Sequence, residues 1–211
     1  MSGPDAALTP GTPRPRCLRC ERPLAACLCR WVRPTANARP VLLLQHPLEV
    51  QQAKGSGRLL ALSLARCRRV VGEAFDAQDL AAWLAELGEA PALLYPDTPA
   101  APAPAVSDPA GPSGLVVIDA TWRKSLRMLH ANPSLQALPR LALQAPPPSR
   151  YAIRVARRPG HQRSTLEATC LALTALEPAS AEGTASRYEP LLMAFDGFVA
   201  AMASRVPKRP D

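Results

Sequence analysis

Three short stretches bring together side chains that can do chemistry. Asp119-Ala120-Thr121-Trp122 places an acid, a hydroxyl and the largest aromatic side chain directly after the apolar run Leu115–Ile118. Gln45-His46-Pro47 follows a second apolar run, Val41–Leu44, and Ser164-Thr165-Leu166-Glu167 lies behind a third, Tyr151–Val155. In open parallel sheets, ligands gather beyond the carboxyl ends of the strands, and all three clusters sit at such positions. Each also has a purely structural reading. His46 before a proline fits a turn cap, Asp119 or Thr121 a helix cap, Trp122 a core residue, and Ser164 with Glu167 a capping box. What favours a binding or catalytic reading is that three such sets converge on one edge, each bordered by cations.

Those cations are Lys54 and Arg58, then Arg123, Lys124 and Arg127, then Arg154, Arg157 and Arg158. A face that holds RNA phosphates and an ordinary solvated face both fit them. The stretch Lys54–Arg58 is not a phosphate-binding P-loop, because it lacks the G-x-x-x-x-G-K-[ST] pattern. A fourth cluster is of another kind. Cys17, Cys20, Cys27 and Cys29 form C-x2-C-x6-C-x-C. Zinc takes four thiolates in a tetrahedron, and such a closed shell is structural rather than catalytic. An iron–sulfur cluster and unligated thiols are the alternatives. Cys67 and Cys170 stand alone in apolar patterns and read as small core residues.

These residues need a scaffold. Short uninterrupted apolar runs at Val41–Gln45, Arg69–Val71, Ala92–Tyr95, Leu115–Asp119, Leu141–Gln144 and Tyr151–Val155 read as strands. Helices are expected after Gly57, over Asp79–Leu87, over Arg123–Ala131 with Trp122, Leu126 and Leu129 on one face, over Thr165–Glu177, and over Arg187–Ser204. Apolar strands alternating with helices predict an α/β fold, a mostly parallel sheet with helices on both faces. The Pro-rich stretch 97–114 reads as a loop within that domain. The expected organisation is a disordered tail over 1–16, a four-cysteine zinc module over 17–31 and a catalytic domain over 38–205. The 211 residues carry 25 Lys plus Arg against 17 Asp plus Glu, a net charge of +8, which fits a polyanionic partner or a generally Arg-rich composition. The chain shows no signal peptide and no run long enough to span a bilayer, so the expectation is a cytoplasmic protein with reduced cysteines and no membrane partner.

The segments Cys17–Cys29, Leu42–Leu64, Leu93–Asp97, Val116–Leu143, Ser149–Ala168 and Leu191–Met202 together resemble the DTW-domain family. Asp119-x-Thr121-Trp122, followed by Asn132-Pro133 and then Ser164-Thr165-Leu166-Glu167-Ala168, carries the resemblance. It implies a SPOUT-like fold with a knotted C-terminal half. It also implies a tRNA-uridine aminocarboxypropyltransferase that uses S-adenosylmethionine as donor and tRNA as partner, beside the structural Zn2+ that the cysteine spacing suggests. On that basis Asp119, Thr121 and Trp122 are expected at the catalytic centre. Asp119 would take the uridine N3 proton or hold the cationic donor, and Trp122 would stack on a base. Gln45, His46, Ser164, Thr165 and Glu167 are expected at the donor, with Ser164 and Thr165 offering helix N-terminal amides to its carboxylate. Two departures stand out. Relatives often have Gly where this chain has Ala120, so the turn must suit an ordinary residue, and the Lys54–Arg58 stretch replaces a common Asn-Thr-Gly. A methyltransferase using the same donor, and a zinc-bearing RNA-binding protein without chemistry, are the competing readings.

Overall fold

Two apolar strands, one buried throughout and the other at all but Ile118, organise the molecule. The computed structural model describes residues 15–52, 55–99, 102–144, 149, 163–177 and 186–204. Among these, β1 (Val41–Gln45), β2 (Cys67–Val71), β3 (Ala92–Leu94), β4 (Leu115–Asp119) and β5 (Arg140–Leu141) form one parallel sheet in the order β2-β1-β4-β3-β5. Side chains alternate across a strand. Val41 and Leu43 of β1 and Leu115 and Val117 of β4 therefore enter one core, and Leu42, Leu44 and Val116 enter the other. The first core is closed by α2 (Gly57–Ser63), α6 (Thr165–Leu176) and α7 (Glu189–Ala203), the second by α3 (Ala77–Ala85), α4 (Trp122–Ala131) and α5 (Pro133–Gln136). A one-turn helix, α1 (Pro47–Val50), follows β1. The α/β class and the two-sided cover agree with expectation.

The connections decide where a ligand can sit. From β1 the chain runs to β2 on one flank of the sheet, and from β4 it runs to β5 on the other. The carboxyl ends of β1 and β4 thus flank a point where the chain diverges in opposite directions, which opens a crevice between them. In register, Gln45 lies beside Asp119 at this point.

Several boundaries differ from the sequence reading. Helix α3 begins at Ala77 rather than Asp79, because the Asp76 carboxylate accepts from Gln78 N and Asp79 N and so caps a turn earlier. Strand β2 begins at Cys67, β5 covers only Arg140–Leu141, and the single turns α1 and α5 each start on a proline that presets the first helical residue. The strand expected at Tyr151–Val155 and the C-terminal knot fall on stretches that include residues outside the described set.

The cysteine cluster packs into the first core rather than hanging from it. Cys20 and Leu28 are fully buried there with Phe195 and Phe198 of α7. Trp31 lies on α7 at Gly197, where an added Cβ would collide with the indole ring. Among the described residues no helix is long and apolar enough to cross a membrane.

Candidate active site

Asp119 ends β4 almost fully buried, and its carboxylate is held from two sides. Gln45 Nε2, from the end of β1, donates to Oδ2 at 2.7 Å, and Thr165 Oγ1, from the start of α6, donates to Oδ1 at 2.5 Å. Neutral donors on both oxygens favour the ionised form. Gly57, the first residue of α2, lies against the same group, and a Cβ there would meet the Asp119 carboxyl carbon at 2.7 Å. Arg69 of β2 completes the surround: its Nη1 donates to Gln45 Oε1 at 2.6 Å. Burial pushes the Arg69 guanidinium below its usual value, and the Asp119 charge offsets only part of that fall.

Thr165 reaches Asp119 because α6 starts where it does. Ser164 Oγ accepts from Glu167 N at 3.1 Å, and Glu167 Oε2 accepts from Ser164 N at 3.0 Å, a complete capping box. Glu167, buried, also accepts from Ser149 Oγ at 3.1 and 3.0 Å. Ser164 and Glu167 are thus engaged in setting the first turn, while Thr165 projects from it onto the carboxylate.

Beyond the ends of β1 and β4 lies a cleft of about 570 Å3 lined by His46, Leu48, Glu73, Thr121, Arg123, Lys124 and Arg127, among others. His46 is buried. Its Nδ1 accepts from Leu48 N at 3.1 Å, capping α1, and its Nε2 lies 3.2 Å from Glu73. Thr121 is the N-cap of α4 without a side-chain cap bond, and Asp119 is directed to Gln45 and Thr165. Trp122 is 49 % exposed, packed edge-on to Tyr95 at 5.6 Å. The expected Trp122–Leu126–Leu129 core face is corrected at its first residue: Leu129 enters the second core and Leu126 packs against it, while Trp122 stays half-exposed.

The cations expected at RNA differ in their surroundings. Arg123, Arg127 and His130 are exposed on α4, with Arg127 paired to Glu73 at 2.7 Å. Lys124 is paired to buried Glu49 at 2.8 Å. Arg58 is largely buried and paired to Glu21 of the cysteine turn. Lys54, Arg154, Arg157 and Arg158 lie outside the described residues. Ala120 is not at positive φ, as expected, since among the described residues Glu21 is the non-glycine that is. Sequence reasoning missed Arg69, Gly57 and Glu21. Gly57 alone left a trace, as a glycine opening a helix.

The cysteine sulfurs all lie within 4.8 Å of one another, with Cys17–Cys29 and Cys20–Cys27 each 3.7 Å apart. Tetrahedral zinc at about 2.3 Å from each sulfur sets them about 3.8 Å apart, so the cluster fits that ion. Backbone hydrogen bonds from Cys20 and Arg19 pull the Cys17 thiol down to about 6, whereas burial pushes Cys29 up to about 12.

The DTW domain family matches residues 14–203 of this chain. A protein named tRNA-uridine aminocarboxypropyltransferase 2 in Drosophila melanogaster is 32 % identical over 174 residues, covering 80 % of this chain and 69 % of its own length. Proteins of the same name in Mus musculus and Macaca fascicularis are 33 % and 29 % identical, over 78 % and 80 % of this chain. The chain spans only 57 % and 58 % of those two mammalian relatives. No solved structure matches it.

Proposed function

This chain belongs to the DTW-domain family, and from that premise we propose that it is a tRNA-uridine aminocarboxypropyltransferase. In this reading it moves the 3-amino-3-carboxypropyl group of S-adenosylmethionine to N3 of a tRNA uridine and releases methylthioadenosine. The names of its relatives support the reaction class. The observation that carries the site is the buried Asp119 carboxylate, gripped by Gln45 and Thr165 where the chain diverges around the crevice.

The chemistry needs little more than placement. Uracil N3 gives up its proton to solvent and forms a bond to the donor methylene, and the carbon–sulfur bond breaks with its electron pair passing to sulfur. The sulfonium leaves as a neutral thioether, so holding the two reactants in line supplies most of the acceleration. Asp119 was expected either to take the N3 proton or to hold the cationic donor. Its bonding favours the second role, because two donors hold both carboxylate oxygens and fix the group in place at the crevice. Thr165 orients that charge, and the exposed Trp122 offers a face on which a base can stack. Arg123, Lys124 and Arg127 line the adjoining cleft on the side where tRNA phosphates would approach. Zinc in the cysteine cluster would hold the N-terminal turn against α7 and takes no part in the transfer.

The test uses unmodified tRNA and donor labelled on either the carboxyl or the methyl carbon. Carboxyl label retained in the tRNA is the expected result. Methyl label in its place would mean a methyltransferase, and neither would mean an RNA-binding protein. Asp119→Asn separates the two roles of the acid. Loss of donor affinity by about tenfold or more, measured by equilibrium dialysis, fits a charge that holds the donor. Unchanged affinity with lost turnover would assign Asp119 as the base.

A further inference from the structure

Gln45 is a primary amide wedged between a carboxylate and a guanidinium. Its Nε2 donates to Asp119 and its Oε1 accepts from Arg69, at 2.7 and 2.6 Å. This orientation alone satisfies both neighbours, because an ionised carboxylate cannot donate and a guanidinium cannot accept. Arg69 has an outer partner. Glu21 Oε2 lies 3.7 Å from its Nη2 and also pairs with Arg58, the neighbour of Gly57. Glu21 follows Cys20 in the cysteine turn, with its N–H donated to Cys17 O at 2.7 Å. Its φ of 54° is one that glycine adopts freely and glutamate does not. A glutamate there costs the turn conformational energy, and its carboxylate reaches two arginines beside the site.

We propose that Arg69 and Glu21 are positioning residues for Asp119: Glu21 steadies Arg69, and Arg69 locks the Gln45 amide so that its N–H faces the carboxylate. The proposal rests on the assignment of Asp119 to the transfer site. The groups described around that carboxylate are Gln45 from β1, Arg69 from β2, Gly57 with neighbouring Arg58 from α2, and Thr165 from α6, and the charged ones are both cations. Without Arg69 the amide is free to turn its carbonyl toward Asp119. The carboxylate then loses a donor and a nearby positive charge, and both changes disfavour its ionised form.

The experiment compares full-length, zinc-loaded wild type with Arg69→Met, Arg69→Lys and Glu21→Gly. Carboxyl 13C NMR of aspartate-labelled protein follows the Asp119 titration, assigned with Asp119→Asn. Zinc content, melting temperature and label transfer are measured on the same samples. Arg69→Met is expected to raise the Asp119 midpoint by about one pH unit. It should also lower kcat by about tenfold to a hundredfold, with KM for tRNA little changed. Arg69→Lys should recover part of both. Glu21→Gly should keep its zinc, melt no lower than wild type, and still shift the midpoint upward. An unmoved midpoint in Arg69→Met and Arg69→Lys overturns the role of Arg69, and an unmoved midpoint in Glu21→Gly overturns that of Glu21. Because the titration is read without substrate, wild type that transfers no label would overturn the functional reading and leave this result separately legible.

Discussion

Asp119, the acid that ends β4, is enclosed by its neighbours, and the most restrictive of them has no side chain. Alanine at position 57 would gain up to about 1 kcal/mol of helix propensity. Its Cβ, however, has nowhere to go but into the Asp119 carboxylate. Gly57→Ala is therefore expected to cost about 1–3 kcal/mol of stability as the carboxylate is pushed aside, while transfer falls by about tenfold or more, beyond what that loss explains. Equal losses of stability and activity would show that the glycine serves only the fold. Trp122 makes the opposite case. It is half-exposed, with an edge-on contact to Tyr95 worth about 0.5–1.5 kcal/mol. Trp122→Ala should cost no more than about that in chemical denaturation and should raise KM for tRNA or donor. A core tryptophan would instead cost about 3–5 kcal/mol.

At the scale of elements, the first turn of α6 sets the reach of Thr165. Ser164→Ala removes one half of the capping box and leaves Glu167 N without its side-chain acceptor. The expected loss is about 1 kcal/mol in a denaturation experiment, together with reduced turnover, because the turn that carries Thr165 loosens. Thr165→Val separates the two effects, since it leaves the cap intact and removes the hydrogen bond to Asp119. It should cost about 1–3 kcal/mol, because a buried acceptor loses a donor, and lose more activity than Ser164→Ala. The same logic explains α4. Arg123 and Arg127 stay exposed on one side of it while Met128 and Leu129 close the second core on the other.

For the whole molecule, the cysteine cluster is a clamp between the N-terminal turn and α7. Cys20 and Leu28 share a core with Phe195 and Phe198, and burial of a leucine contributes about 1.5–3 kcal/mol. If the cluster holds zinc, as proposed, a chelator should remove it and lower the melting temperature. The pH dependence has a definite sign. With Cys29 pushed up to about 12, binding zinc at neutral pH displaces its proton, while Cys17, near 6, is already largely a thiolate. Affinity must fall as pH falls, and more steeply below about pH 6, where Cys17 must also be deprotonated. Zinc retention measured by dialysis across pH 8 to 5 checks this. The net charge of +8 adds a prediction for binding: tRNA affinity should decline linearly in log–log form with salt.

Much of this was readable along the chain, where the information is local. The strands Val41–Gln45 and Leu115–Asp119 declare themselves as buried by unbroken apolar runs, and Ser164-x-x-Glu167 announces its helix because a cap is closed within one turn. The cysteine spacing points to a metal-binding cluster for the same reason, since all four thiols lie between Cys17 and Cys29. The packing of that cluster into the core with α7, and everything that surrounds Asp119, are matters of tertiary structure. Gln45 lies 74 residues from Asp119 in sequence and Thr165 lies 46 from it. The parallel register and the strand order bring them together. Arg69 and Glu21 carry no local signal, since one reads as an ordinary strand residue and the other as an ordinary turn acid. The chemistry of the residues is written in the sequence, but which of them meet is decided by sheet order and by the two cores that hold it.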